Sequence, residues 1–129
     1  MSEHIIGIGG VFIRAKDKAA TNEWYGKVLG MPLTEWGASF YWFESKVSEH
    51  PHLTNWSVFA HDADYFGSSN QAFMINYIVK DLDGLIAKMS AHGTKEVKPM
   101  EKHTYGKFAW VNDNEGRRIE LWEPIPGGI

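Results

Sequence analysis

Apolar and polar residues alternate with period two from Val11 to Lys16: Val11, Ile13 and Ala15 interleave with Phe12, Arg14 and Lys16. Such alternation predicts a strand with one covered face. Asp17 then stands where a helix N-cap belongs. Ala20, Trp24 and Val28 recur at helical spacing within a helix expected over 19–29, and Gly30 supplies a left-handed stop. Three strand-like segments follow at 33–36, 39–44 and 56–60, with His50-Pro51-His52 in the polar loop between the last two. A connector over 61–71, rich in Gly, Ser, Asn and Asp, separates this half from the next.

The pattern then starts again. Ile75, Tyr77 and Val79 alternate with Met74, Asn76 and Ile78; Asp81 is the new cap, 82–92 the new helix, and Gly93 its stop. The caps Asp17 and Asp81 stand 64 residues apart and the stops Gly30 and Gly93 stand 63 apart, a near-constant offset that marks an internal repeat. Strands are again expected around 96–98, 107–111 and 118–123, the last two joined by a turn over Asn112-Asp113-Asn114-Glu115-Gly116. The reading is an α+β fold of two tandem βαβββ modules, residues 8–60 and 72–125, within one domain spanning 1–129.

Composition narrows the function. A chain of 129 residues with 43% hydrophobic content suffices for one packed core. The net charge of −3 provides no basic surface for phosphates, which argues against nucleic acid as a partner. The absence of cysteine removes disulfides, thiolate metal sites and cysteine nucleophiles. No apolar run is long enough to span a membrane, and the opening residues show no basic-then-apolar signal, so a cytoplasmic protein without a membrane partner is expected. Six tryptophans are more than a small core needs, and some rings are expected to line a cavity.

Asp17…Trp24-Tyr25…Leu29-Gly30, Val79-Lys80-Asp81-Leu82-Asp83 and, most specifically, Asp113-Asn114-Glu115-Gly116-Arg117-Arg118-Ile119-Glu120-Leu121 together resemble the vicinal oxygen chelate superfamily, which includes glyoxalase I, bleomycin-resistance proteins and extradiol dioxygenases. Asn114 replaces the usual Pro of that final turn and Arg117 the usual Asn. The resemblance covers nearly the whole chain. It implies a half-open cup, frequent homodimers and, in enzymatic relatives, a divalent metal held by residues on the first and last strands of each module.

Alternation assigns the inward faces: Gly10, Phe12 and Arg14; Met74, Asn76 and Ile78; Arg118, Glu120 and Trp122. Of the ligand positions implied by the resemblance, only Glu120 matches. Gly10 carries no donor, Met74 is a poor ligand for a hard or borderline cation, and Trp56 or Ser57 occupies the remaining strand. One carboxylate does not hold a catalytic divalent ion, so no cofactor is expected, and Glu120 is a metal ligand only if a metal binds. The His50/His52 pair and His61 read as solvated loop residues, and His92 as a helix C-terminal residue suited to the dipole.

Glu120 is the main chemical candidate, facing either a ligand or an arginine (Arg14 or Arg118). His103 and Tyr105, in a segment over 102–106 that can cover the cup mouth, are candidates for a general base and a donor. Phe12, Arg14, Trp42, Trp56, Met74, Asn76, Phe108, Trp110 and Trp122 are the candidate ligand-binding residues. Gly7-Ile8-Gly9-Gly10 precedes a strand and lacks the third glycine of a dinucleotide loop. Three functions are compatible with this pattern. The first is a small-molecule binder with a degenerate metal site and an aromatic cup. The second is a glyoxalase-type lyase or a dioxygenase using Glu120. The third is a structural module whose cup is filled by its own rings.

Overall fold

The computed structural model describes residues 4–41, 53–67 and 70–124. Trp42, His50 and His52 lie outside them. The described residues form one seven-stranded mixed sheet with two α-helices, in the order β1 (Ile5–Ala15), α1 (Lys18–Lys27), β2 (Ala38–Tyr41), β3 (Leu53–Ala60), a short 3-10 turn (Asp64–Phe66), β4 (Phe73–Val79), α2 (Leu82–Ala91), β5 (Glu101–His103), β6 (Gly106–Asn112) and β7 (Arg118–Pro124).

Across the sheet the strands run β2-β3-β1-β4-β7-β6-β5. The repeat seen in the sequence explains this order. Each half places its last strand parallel to its first, β3 on β1 and β7 on β4, and the two first strands meet antiparallel at the centre. The cup is therefore assembled from both halves of a single chain.

Local chemistry sets the helix starts. Asp17 accepts from the Ala20 N–H at 3.0 Å, and Asp81 accepts from the Gly84 N–H at 3.1 Å. The backbone takes φ values of 73° at Gly30 and 87° at Gly93, the left-handed stops expected at these positions. Under α2, Val79, Leu82, Ala109, Val111 and Leu121 form a buried cluster, with Tyr77, Leu85, Ile86 and Met89 packed against it. Each of the larger aliphatic side chains contributes about 1.5–3 kcal/mol by leaving water. This cluster fixes the odd-numbered residues of β4 and β7 against the helix and turns Asn76, Glu120 and Trp122 to the other face.

Helix α1 behaves differently from expectation. Its predicted apolar stripe, Ala20, Trp24 and Val28, points outward, and no residue of the helix is buried. The sheet-facing contact comes instead from Tyr25, whose ring lies 4.6 Å from that of Trp56.

Two expected strands are absent at their predicted places among the described residues. Residues 33–36 form a local turn, because Thr34 directs both its N–H (2.7 Å) and its Oγ1 (2.9 Å) to the Gly37 carbonyl rather than to a neighbouring strand. Residues 96–98 make one ladder-like bond, from the Val97 N–H to the Trp110 carbonyl, and the strand itself begins at Glu101. The segment at 102–106 is correspondingly no free loop. Lys102 and His103 pair with β6, and Thr104 and Tyr105 form the hairpin turn.

Candidate functional site

Strand register brings one transverse row of side chains together. Asn55 on β3 pairs with Gly10 on β1, Gly10 with Asn76 on β4, Asn76 with Glu120 on β7, and Glu120 with Trp110 on β6. The row ends at Ser39 on β2, whose Oγ donates to Asn55 Oδ1 at 2.7 Å. The row crosses six of the seven strands and has Glu120 and Asn76 near its middle, 1% and 2% exposed respectively.

The turn before β7 holds Glu120 in register. Asp113 accepts from the N–H groups of Glu115 (2.9 Å) and Arg117 (3.0 Å), and the Arg117 Nε–H donates to Asp113 Oδ2 at 2.9 Å. Hydrogen bonds from these two backbone N–H groups, with Arg117 adding to them, hold the Asp113 carboxyl below its usual range.

Neutral donors surround Glu120. Asn76 Nδ2 donates to Oε1 at 2.6 Å, Trp110 Nε1 donates to Oε2 at 2.9 Å, and the Tyr65 hydroxyl also donates to Oε2. Burial pushes the carboxyl above the usual carboxylate range, opposed by these three hydrogen bonds and by the charge of Lys98. Burial raises the Tyr65 phenol as well, and the neighbouring Glu120 charge adds to it. Of the two alternatives for Glu120, a ligand or an arginine, the described contacts do not include the arginine. The Arg14 guanidinium lies 4.7 Å over the Phe66 ring and donates to the carbonyls of Ala63 (3.2 Å) and Gly67 (3.5 Å), tying the connector to β1. The Arg118 side chain lies against Gly67.

A cavity of about 320 Å³ opens above the row, lined by Gly9, Phe12, Asn55, Asn76, Tyr105, Phe108, Glu120 and Trp122. The cup is therefore not filled by its own rings. Phe108 and Trp122 stack at 5.9 Å along one wall, and the Trp122 indole N–H donates to the Tyr105 carbonyl at 3.3 Å. A second chamber of about 260 Å³ shares Tyr105 and Phe108 with the first and adds Tyr65, Glu101, His103 and Trp110. There His103 Nε2 lies 3.1 Å from Glu101 Oε1, and the imidazole stacks on Tyr105 at 5.1 Å. The hydrogen bond to His103, followed by Lys98, holds the Glu101 carboxyl below its usual range.

Of the candidate residues, Phe12, Asn76, Tyr105, Phe108, Glu120 and Trp122 line the first cavity, while Trp110 and His103 line the second chamber. Met74 is buried beside Phe12 in the register and lines neither. Trp56 faces α1, because residues 55, 57 and 59 of β3 take the cup side. Sequence reading missed Asn55, Gly9 and Tyr65. The first was lost to a one-residue ambiguity in the register of β3. Tyr65 was hidden in the polar connector, where the adjacent aromatics Tyr65 and Phe66 were the available signal. There the 3-10 turn stacks Tyr65 on Phe59 (5.2 Å) and delivers its hydroxyl to Glu120.

Among the described residues, the donor set does not suit the divalent metal that the resemblance implies. A Cβ at Gly10 would meet the Phe12 ring at 2.8 Å and Asn76 Cβ at 3.3 Å, so neighbouring side chains occupy the space of the missing first-strand ligand. Both Glu120 oxygens already accept hydrogen bonds, and among the described residues no cluster of three or more His, Asp or Glu side chains can hold an ion. No described helix is long and apolar enough to cross a membrane.

A model of the Glyoxalase/Bleomycin resistance protein/Dioxygenase superfamily matches residues 7–121. No curated protein sequence matches the chain. Similar solved structures include methylmalonyl-CoA epimerase from Mycobacterium tuberculosis, at 19% identity and a TM-score of 0.66 over 95% of this chain and 91% of that one. A Streptomyces coelicolor methylmalonyl-CoA epimerase bound to 2-nitronate-propionyl-CoA aligns at 15% identity and a TM-score of 0.68, covering 93% and 95%. A superfamily member from Vibrio splendidus 12B01 aligns at 13% identity and a TM-score of 0.54, covering 90% and 97%. At these identities the likeness is one of fold.

Proposed function

The chain belongs to the glyoxalase/bleomycin resistance protein/dioxygenase superfamily, and from that premise we propose that its cup binds a small, flat, largely apolar organic molecule without the help of a metal. One observation carries the reading: a cavity of about 320 Å³ walled by Phe12, Tyr105, Phe108 and Trp122, with Glu120 as the one ionisable carboxyl among its described lining residues. Apolar walls with a few fixed polar groups are the usual make-up of a small-molecule site. Aromatic side chains supply large contact area for a planar ligand. The test is thermal melting and saturation-transfer NMR with quinoline and naphthol as probes. Saturable binding that raises the melting temperature by mass action supports the reading. No transfer and no shift with either probe refutes it.

A second reading is favoured by the state of Glu120. A carboxyl that burial holds above its usual range beside the cavity is suited to exchanging a proton with a bound molecule, so acid–base chemistry on that molecule is the enzymatic alternative. His103 and Tyr105 reach the cavity system from the β5–β6 hairpin and are the accompanying candidates. The exposed stripe of Trp24 and Val28 on α1 supports a homodimer, which sedimentation velocity tests.

A further inference from the structure

Hydrogen-bonding capacity at the floor of the cup is lopsided. Asn76 spends its N–H on Glu120 Oε1, and its own Oδ1, buried on a residue 2% exposed, has no hydrogen-bond partner among the described residues. That oxygen lies over Gly9, where a Cβ would come within 2.4 Å of it, and both residues line the cavity. Glu120 Oε1 accepts one bond there, from Asn76, so a further lone pair is open. Two acceptors thus sit side by side.

Donors are scarce by comparison. Asn55 lines the cavity with its Oδ1 already occupied by Ser39, so its amide N–H groups are what it has left to offer. Among the described residues, no Lys, Arg or His lines this cavity. The cation that acts on Glu120, Lys98, lies 4.1 Å over the Trp110 ring and is not part of the wall. The remaining described lining is Gly9 and the rings of Phe12, Tyr105, Phe108 and Trp122, with the Tyr105 hydroxyl as a neutral donor; aromatic faces attract N–H groups and cations and repel anions.

We infer that, within the binding reading above on which this rests, the cup selects an arylalkylamine, an ammonium group carried on a flat aromatic ring system whose N–H donors meet Glu120 Oε1 and Asn76 Oδ1, and rejects aromatic carboxylates. An amine supplies what both acceptors lack and gains a charge-assisted bond to the carboxylate. A carboxylate would bring a second negative charge beside Glu120 with no cation in the wall to offset it.

The test compares naphthylmethylamine, naphthylmethanol and naphthoate, three probes of one ring system, by isothermal titration of the full chain at neutral pH. The amine is expected to bind at least about tenfold more tightly than naphthoate, with the alcohol between them. Glu120→Gln is expected to narrow the gap between amine and carboxylate to less than about threefold. The wild-type comparison stands even if that variant does not fold. Naphthoate binding as tightly as the amine overturns the selectivity. Equal affinity for all three probes also overturns it, while leaving the cup as a binding site. Failure of all three to bind overturns both the selectivity and the reading beneath it.

Discussion

The Tyr65 hydroxyl donates to the carboxylate of Glu120, 55 residues away, and so ties the connector to the last strand. The bond does more than position one ring. Tyr65 lines the second chamber while Glu120 lines the first, so the phenol stands between the two. With Arg14 holding the carbonyls of Ala63 and Gly67, it makes the connector a wall of the site rather than a tether between halves.

Tyr65→Phe keeps the ring on Phe59 and removes the hydroxyl. Glu120 Oε2 then retains only Trp110 as donor, and the loss of a hydrogen bond to a buried carboxyl costs about 1.5–3 kcal/mol. Denaturant unfolding should show that loss, and hydrogen exchange should speed up at residues 64–66. An unchanged midpoint would show that the bond contributes nothing to stability.

Stability should carry a signature of Glu120. Its folded pKa is raised by burial, so the folded state holds a proton that the unfolded chain releases near pH 4.3. The contribution is fully present below about pH 4.3 and is lost as pH rises through the folded value. Glu120→Gln removes it, and the melting temperature of the variant relative to the parent should rise with pH across that window. The comparison cancels Glu101 and Asp113, whose lowered values act in the opposite direction in both proteins. A pH-independent difference would mean that Glu120 titrates normally.

Gly9→Ala probes the close approach at the cavity wall. The added methyl would meet Asn76 Oδ1 at 2.4 Å, Ile78 Cγ1 at 2.8 Å and Trp122 Cε3 at 3.1 Å. Overpacking of this kind typically costs about 1–3 kcal/mol. The variant should melt lower and bind quinoline more weakly than the parent; retention of both properties would show that the floor of the cup is soft.

Added Ni, Zn, Mn or Fe(II) should leave the melting temperature unshifted, because no three described His, Asp or Glu side chains cluster to hold an ion. A metal-dependent rise that disappears in Glu120→Gln would restore the chelate mechanism and make the enzymatic reading the leading one.

What could be read from sequence was whatever repeats or follows local rules. The caps Asp17 and Asp81, the stops Gly30 and Gly93, and the Asp113–Gly116 turn are each decided within a few residues, by a side chain meeting a nearby N–H or by a positive φ. Period-two alternation in β4, anchored by the helix-side cluster, correctly turned Asn76 inward. The tandem repeat of strand, cap and helix carried the α+β class with it.

Only the tertiary structure decided who meets whom across strands. Asn55, Gly10, Asn76, Glu120 and Trp110 form a row because five strands pair in one register, and register depends on contacts between residues distant in sequence. The same reason hid Tyr65: nothing local in a polar connector shows that its phenol reaches a carboxylate on β7. It also explains why the apolar stripe of α1 faces outward. Helical spacing shows that a stripe exists, but the choice of which side meets the sheet belongs to the packing of Tyr25 on Trp56.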